Sequence, residues 1–275
     1  MTDARHDEDR DHRDRTGGGR TIDLSVEVPG TPEEVWEAVA TGPGISSWFV
    51  PHEVDERAGG GVRMDFGEGF GEETGTVTAW DPPRRVVFEG TGERALAYEW
   101  LVEARDGGTC VVRLVNTGFG PGEDWDADYH GMSEGWRIFL ANLRLHLTHH
   151  RGQRARAVIP TVMLPGPLDD AFSRLCAALG VRDDLGAGDR LEVAAPGAPA
   201  LAGTVQERVA TGASATYFLV LDAPAPGTAF VGVEGMGDQV GASLYLYLYG
   251  PDADAAAQEA AGWRAFLEQR VAAPA

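Results

Sequence analysis

The chain has 275 residues, with 43 acidic against 23 basic side chains and a formal net charge of −20 at pH 7. Its 43% hydrophobic content is enough for ordinary cores in about two domains. The acidic excess excludes a general nucleic-acid binder and a protein that docks on anionic lipid, because both surfaces would repel it. Every basic residue is Arg, so no lysine is available as a Schiff-base or general-base group.

The first twenty residues hold six acids, five arginines, two histidines and Gly17-Gly18-Gly19. Nothing there can bury a core, which predicts a disordered tail over 1–20. No apolar stretch resembles a secretory leader or approaches the roughly 20 residues of a membrane span. Cys110 and Cys176 lie far apart in apolar surroundings, which fits a reducing compartment and predicts a cytoplasmic protein. The abundance of Ala, Gly, Pro, Asp and Arg suits a GC-rich bacterial genome.

From Thr21 the elements follow in order. Ile22, Leu24, Val26 and Val28 alternate with polar residues, the period of a half-buried strand. Thr31-Pro32-Glu33-Glu34 predicts a helix start with a capping box, and Gly42-Pro43-Gly44 its stop. Antiparallel strands are expected at 61–66, 75–80, 84–89, 97–104 and 109–117, the last two joined at Asp106-Gly107-Gly108. Gly67 to Gly71 reads as a hairpin loop. A long helix follows at about 125–148, with Met132, Trp136, Phe139, Leu143 and Leu147 on one face.

The second half echoes the first. Pro165 to Phe172 resembles Pro29 to Trp36. Gly203-Thr204-Val205 repeats Gly75-Thr76-Val77, and Ala261 to Leu267 follows Glu134 to Leu140 at nearly the same offset. An internal duplication is expected, with domains at 21–150 and 157–275 and a link near 151–156.

The first repeat resembles the activator homologues of the heat-shock-protein-90 ATPase, within the SRPBCC (START and birch-pollen-allergen-like) superfamily. The matching stretches are Val26 to Val39, Ile45 to Pro51, Gly75 to Phe88, Thr109 to Phe119 and Gly135-Trp136. The resemblance covers about 22–150. The second repeat looks like a divergent copy without the Trp48-Phe49 segment. The resemblance implies an α+β chain of two tandem helix-grip domains, each a curved antiparallel sheet wrapped around a long C-terminal helix. It implies a hydrophobic cavity between sheet and helix and brings no fixed catalytic set.

In that frame the aromatic residues, Phe70 among them, either fill a core or wall a cavity for an apolar ligand. Trp48, Phe66, Trp100 and Trp136 are the main wall candidates, and Trp80 and Tyr129 join them. Polar candidates in this half are His52, Asp65, Glu99, Arg113, Tyr129, His130 and Arg137. His130 would suit acid–base work at the cavity mouth. Arg113 shares a strand face with Val111 and Val115; that sharing leans it inward, where it would hold a carboxylate, and the outward alternative is a strand-face charge. His146 and His150 lie four apart, without the further ligands of a metal site. No glycine-rich loop is followed by the residues of a phosphate cradle, and no serine-hydrolase elbow is present. The expectation is a protein that binds a small hydrophobic or amphipathic molecule, with no cofactor and no metal. The alternatives are a polyketide cyclase- or aromatase-like enzyme and a co-chaperone-like interaction module.

Overall fold

The computed structural model describes residues 19–67, 71–92 and 94–272. The expected tail up to residue 18, the tip of the 67–71 loop and Phe70 lie outside the described residues.

The first half runs β1 (Arg20–Pro29), α1 (Pro32–Ala40), α2 (Gly42–Ile45), β2 (His52–Val54), β3 (Gly61–Asp65), β4 (Glu72–Asp81), β5 (Arg85–Gly90), β6 (Ala97–Arg105), β7 (Thr109–Phe119) and α3 (Asp126–His149). The capping box closes as expected. Thr31 Oγ accepts from the Glu34 backbone N–H at 3.3 Å, and the Glu34 carboxylate accepts from the Thr31 N–H at 2.9 Å. All seven strands are antiparallel, in the order β1-β7-β6-β5-β4-β3-β2. Short β2 is the one strand the sequence pattern does not announce.

The second half runs β8 (Arg156–Val158), β9 (Thr161–Leu164), α4 (Leu168–Leu179), β10 (Arg190–Glu192), β11 (Ala202–Ala210), β12 (Ser214–Ala223), β13 (Gly227–Met236), β14 (Gln239–Leu248), α5 (Ala253–Ala260) and α6 (Gly262–Leu267). Its order is β10-β11-β12-β13-β14, with β8 and β9 both pairing β14. Counted from that edge, the strand plan repeats the first sheet, without counterparts of α2 and β2. Gly75 and Gly203 make the repeat physical. A Cβ on either would lie 2.4 Å from a carbonyl oxygen of the next strand, Glu89 or Val220. Each sheet needs a bare backbone at the same place in its plan. The chain is thus two tandem helix-grip domains. In the second, the closing helix bends its hydrogen-bond ladder at Ala261 and ends in a π turn over Glu268–Ala272.

The two domains share α3. Trp136, Leu140, Leu143 and Leu147 pack into the first sheet's core. Ile138 and Leu145 pack on the outer face of the second sheet, against Phe218, Phe230, Tyr247 and Tyr249. The second sheet is therefore covered on both sides. Along β14, Leu244, Leu246 and Leu248 face the second domain's own core, while Tyr245, Tyr247 and, just past the strand, Tyr249 face α3. A strand buried on both faces reads as a continuous apolar run, which is what β12 and β14 are.

Tyr249 ties this interface together. Its hydroxyl donates to the Ser47 carbonyl at 2.7 Å and lies 2.9 Å from His146 Nδ1, while the His150 ring stacks on it at 4.0 Å. Both histidines belong to this packing. Among the described residues no group of His, Cys, Asp and Glu has the makings of a metal site. Both cysteines are free and buried. No described helix is long and apolar enough to cross a membrane.

Candidate functional site

A cavity of about 560 Å³ opens between the concave face of the first sheet and the N-terminal half of α3. Phe49, Met64, Phe66, Phe88, Tyr98 and Trp100 supply the sheet side, and Met132, Trp136 and Phe139 the helix side. The rings brace one another. Trp100 meets Trp136 edge-on at 5.4 Å, Phe49 meets Phe139 at 4.3 Å, and Tyr98 meets Trp136 at 5.7 Å. Edge-to-face contacts of this kind hold rigid plates apart instead of letting them collapse. Helix α3 contributes Gly131 and Gly135, four residues apart and on the same face, where the cavity opens. Glycine inside a helix costs about 1 kcal/mol against alanine, so the missing side chains carry a stability penalty at the mouth.

The far wall comes from the other domain. Glu234, Gly235, Met236 and Gly237, at the β13–β14 hairpin, complete the lining. Gly237, at φ 62°, makes the two-residue turn there possible. Glu234 shares a strand face with Phe230, the side turned to α3, and a Cβ at Gly135 would lie 3.6 Å from its Oε1. Burial, reinforced by the nearby Glu134 carboxylate, pushes the Glu234 carboxyl up to about 7.

The polar groups of the lining are few. His52 is buried, and its Nδ1 lies 2.7 Å from the Val50 carbonyl. Burial pushes the ring down to about 4, so it is neutral at pH 7. Nδ1 then donates to Val50, and Nε2 is left as an acceptor. The Tyr98 phenol is raised above its ordinary value by burial and stays protonated. Asp128 is held by Arg94 at 2.6 Å. The Trp136 indole N–H is buried with no hydrogen-bond partner among the described residues.

Of the residues expected at the site, Phe66, Trp100 and Trp136 meet at the cavity, and His52 joins them. Trp48 does not reach the wall. It is 0% exposed, donates its indole N–H to the Ala38 carbonyl at 2.8 Å, and backs Trp100 edge-on at 5.7 Å. Trp80 packs on Trp36 of α1, 5.0 Å away. Arg113 points outward, in a two-pronged ion pair with Asp23 of β1 at 2.7 and 2.6 Å. Val112 and Leu114 take the inner face of β7, while Val111 and Val115 are only half-buried on the outer one. Valine suits either face of a pleated strand, so its company does not mark the interior. Tyr129 packs edge-on against Phe119 at 5.3 Å, with its hydroxyl 3.4 Å from the Thr21 carbonyl. His130 is exposed beside it. Neither is among the residues that line the cavity.

Sequence reasoning missed Glu234. The available signal was one acid in the apolar run Phe230-Val231-Gly232-Val233-Glu234, on the same parity as Phe230.

Residues 29–148 match the family model described as Activator of Hsp90 ATPase homolog 1-like protein. An uncharacterized protein of Mycobacterium tuberculosis, MT1597, is 28% identical over 116 residues, covering 37% of this chain and 81% of that protein. Two solved structures are similar over nearly the whole length. The di-domain ARO/CYC BexL, from the BE-7585A biosynthetic pathway, is 17% identical with a TM-score of 0.44, and covers 93% of this chain and 100% of its own. DynU16, described as a putative protein in the dynemicin biosynthetic locus, is 19% identical with a TM-score of 0.42, and covers 91% and 97%. The family match falls within the first domain and covers under half of the chain.

Proposed function

We propose that this protein binds a small, largely apolar molecule in the cavity between the first sheet and α3. The observation that carries this reading is a void of about 560 Å³ walled by aromatic and thioether side chains. Ligand pockets typically measure about 300–1,000 Å³, with a few polar groups set in apolar walls. An empty apolar void of this size costs stability through lost packing contacts, and a ligand would restore them. The two free, buried cysteines support a cytoplasmic site of action.

The test is a titration with Nile red, a neutral apolar dye, on the full chain and on Gly135→Leu. At that position a Cβ meets nothing closer than 3.6 Å, so the longer side chain extends over the cavity mouth in an otherwise unchanged fold. Wild type should bind one dye molecule with a rise in fluorescence. Gly135→Leu should lose that binding while keeping its circular dichroism spectrum. Equal binding by both proteins would defeat the reading. Native mass spectrometry of the purified chain, for a mass lost on denaturation, would begin identifying the natural occupant.

A further inference from the structure

The geometry points to Glu234, supplied by the second domain, as the group that selects the ligand, and to an apolar molecule carrying a basic amine as the ligand selected. This rests on the cavity reading above. The argument starts from the lining itself. No arginine lines the cavity among the described residues, and the chain has no lysine. Its ionisable groups are His52, Tyr98, Asp128 and Glu234. His52 is neutral and bonded to Val50, Tyr98 stays protonated, and Asp128 is committed to Arg94. Glu234 has no ion pair among the described residues.

The elements packed against Glu234 offer it no cation. On α3 the neighbouring charge is Glu134, whose carboxylate lies 3.7 Å from Arg137. On β14 the register partner is Gly241, and the titratable neighbour is the phenol of Tyr245. On β12 the register partner is Ser214. A half-buried carboxyl beside a second carboxyl makes the mouth attractive to a cation and repellent to an anion. A fatty carboxylate would meet like charge there, and an alcohol would gain only a neutral hydrogen bond. An ammonium would gain a charge-assisted one. Its arrival would also favour the ionised form of Glu234, whose carboxyl burial otherwise holds partly protonated near neutrality.

The probes are a matched ten-carbon set, decylamine, decanol and decanoate. Each displaces Nile red from the full chain at pH 8 and about 0.15 M salt, where a Debye length of about 8 Å screens the distant surface charge. Decylamine should bind at least about tenfold more tightly than decanol, and decanoate least tightly. Glu234→Gln should remove the amine's advantage and leave decanol unchanged. In the wild type, the decylamine-to-decanol ratio should fall toward one between pH 8 and pH 6, as Glu234 takes up its proton. The pH series needs no variant, so it decides even if Glu234→Gln fails to fold. Decanoate binding as tightly as decylamine, an advantage surviving Glu234→Gln, or a ratio flat in pH would each overturn the assignment. If Nile red binds and the three probes compete alike, only the amine assignment fails. If neither dye nor probe binds, the cavity reading fails with it.

Discussion

The two domains share a strand plan and differ in what fills the space between sheet and helix. The first core is built on plates: Trp36, Trp48, Phe49, Phe88, Tyr98, Trp100, Phe119 and Trp136. The second is built mostly on leucine, valine and alanine, with Phe172, Tyr217, Trp263 and Phe266 the aromatics among its buried residues. Rigid rings meeting edge-on leave a gap between them, whereas branched aliphatics interdigitate and close it. Trp136 and Trp263, at equivalent places in the repeat, mark the contrast. Trp136 is 5% exposed and faces the cavity, while Trp263 is 0% exposed inside a packed core. The same strand plan carries edge-on rings in one domain and interdigitated aliphatic side chains in the other.

The largest effect that could break this comparison is the relative cost of removing the two tryptophans. Trp263→Ala should destabilise by about 3–5 kcal/mol in urea unfolding. Trp136→Ala should cost less, because its ring borders the cavity. Equal costs would mean that the first core is as tightly filled as the second. Acid tests the buried histidines. His52 and His146 have folded-state values near 4, against 6.5 for the unfolded chain. The unfolded state binds more protons below 6.5. Stability from each should be whole above pH 6.5 and lost as pH falls toward 4, by ~3 kcal/mol each. Stability curves of wild type and His52→Gln between pH 7 and pH 4 measure the first domain's share.

Smaller changes sharpen the picture. Tyr249→Phe removes the hydrogen bonds to Ser47 and His146 between the domains and should cost about 1–3 kcal/mol. Gly131→Ala should stabilise α3 by about 0.5–1 kcal/mol, and a Cβ there meets nothing within 4 Å. The same change should weaken Nile red binding slightly by narrowing the mouth. Arg113→Ala should cost about 1 kcal/mol or less, because its ion pair with Asp23 is partly open to solvent. It should leave dye binding untouched, which would separate the outer face of the sheet from the cavity.

Much of the architecture was legible in the sequence. Period-two alternation placed β1, Thr31 and Glu34 placed α1, and the Gly-Thr-Val echo pointed to the second sheet. What was not legible involves contact between the halves. The Leu/Tyr alternation of β14 encodes two buried faces, but a single sequence does not say what lies on the second. Glu234 reaches a site that begins almost two hundred residues earlier in the chain because α3 packs on the outer face of the second sheet. Trp48 and Trp80 are aromatic for reasons of packing, and no local pattern separates a ring on a cavity wall from the ring behind it.

The sharing of α3 between two cores means that the halves are not beads on a string. Each would leave an apolar face bare if parted from the other: Ile138 and Leu145 on one, Phe218, Phe230 and Tyr247 on the other. Surfaces of that composition belong to obligate partnerships. A protease that cuts the exposed run Arg151-Gly152-Gln153-Arg154 should therefore yield two fragments that still elute together. In the second copy, the sheet face turned away from its own core has become a permanent seat for its sibling.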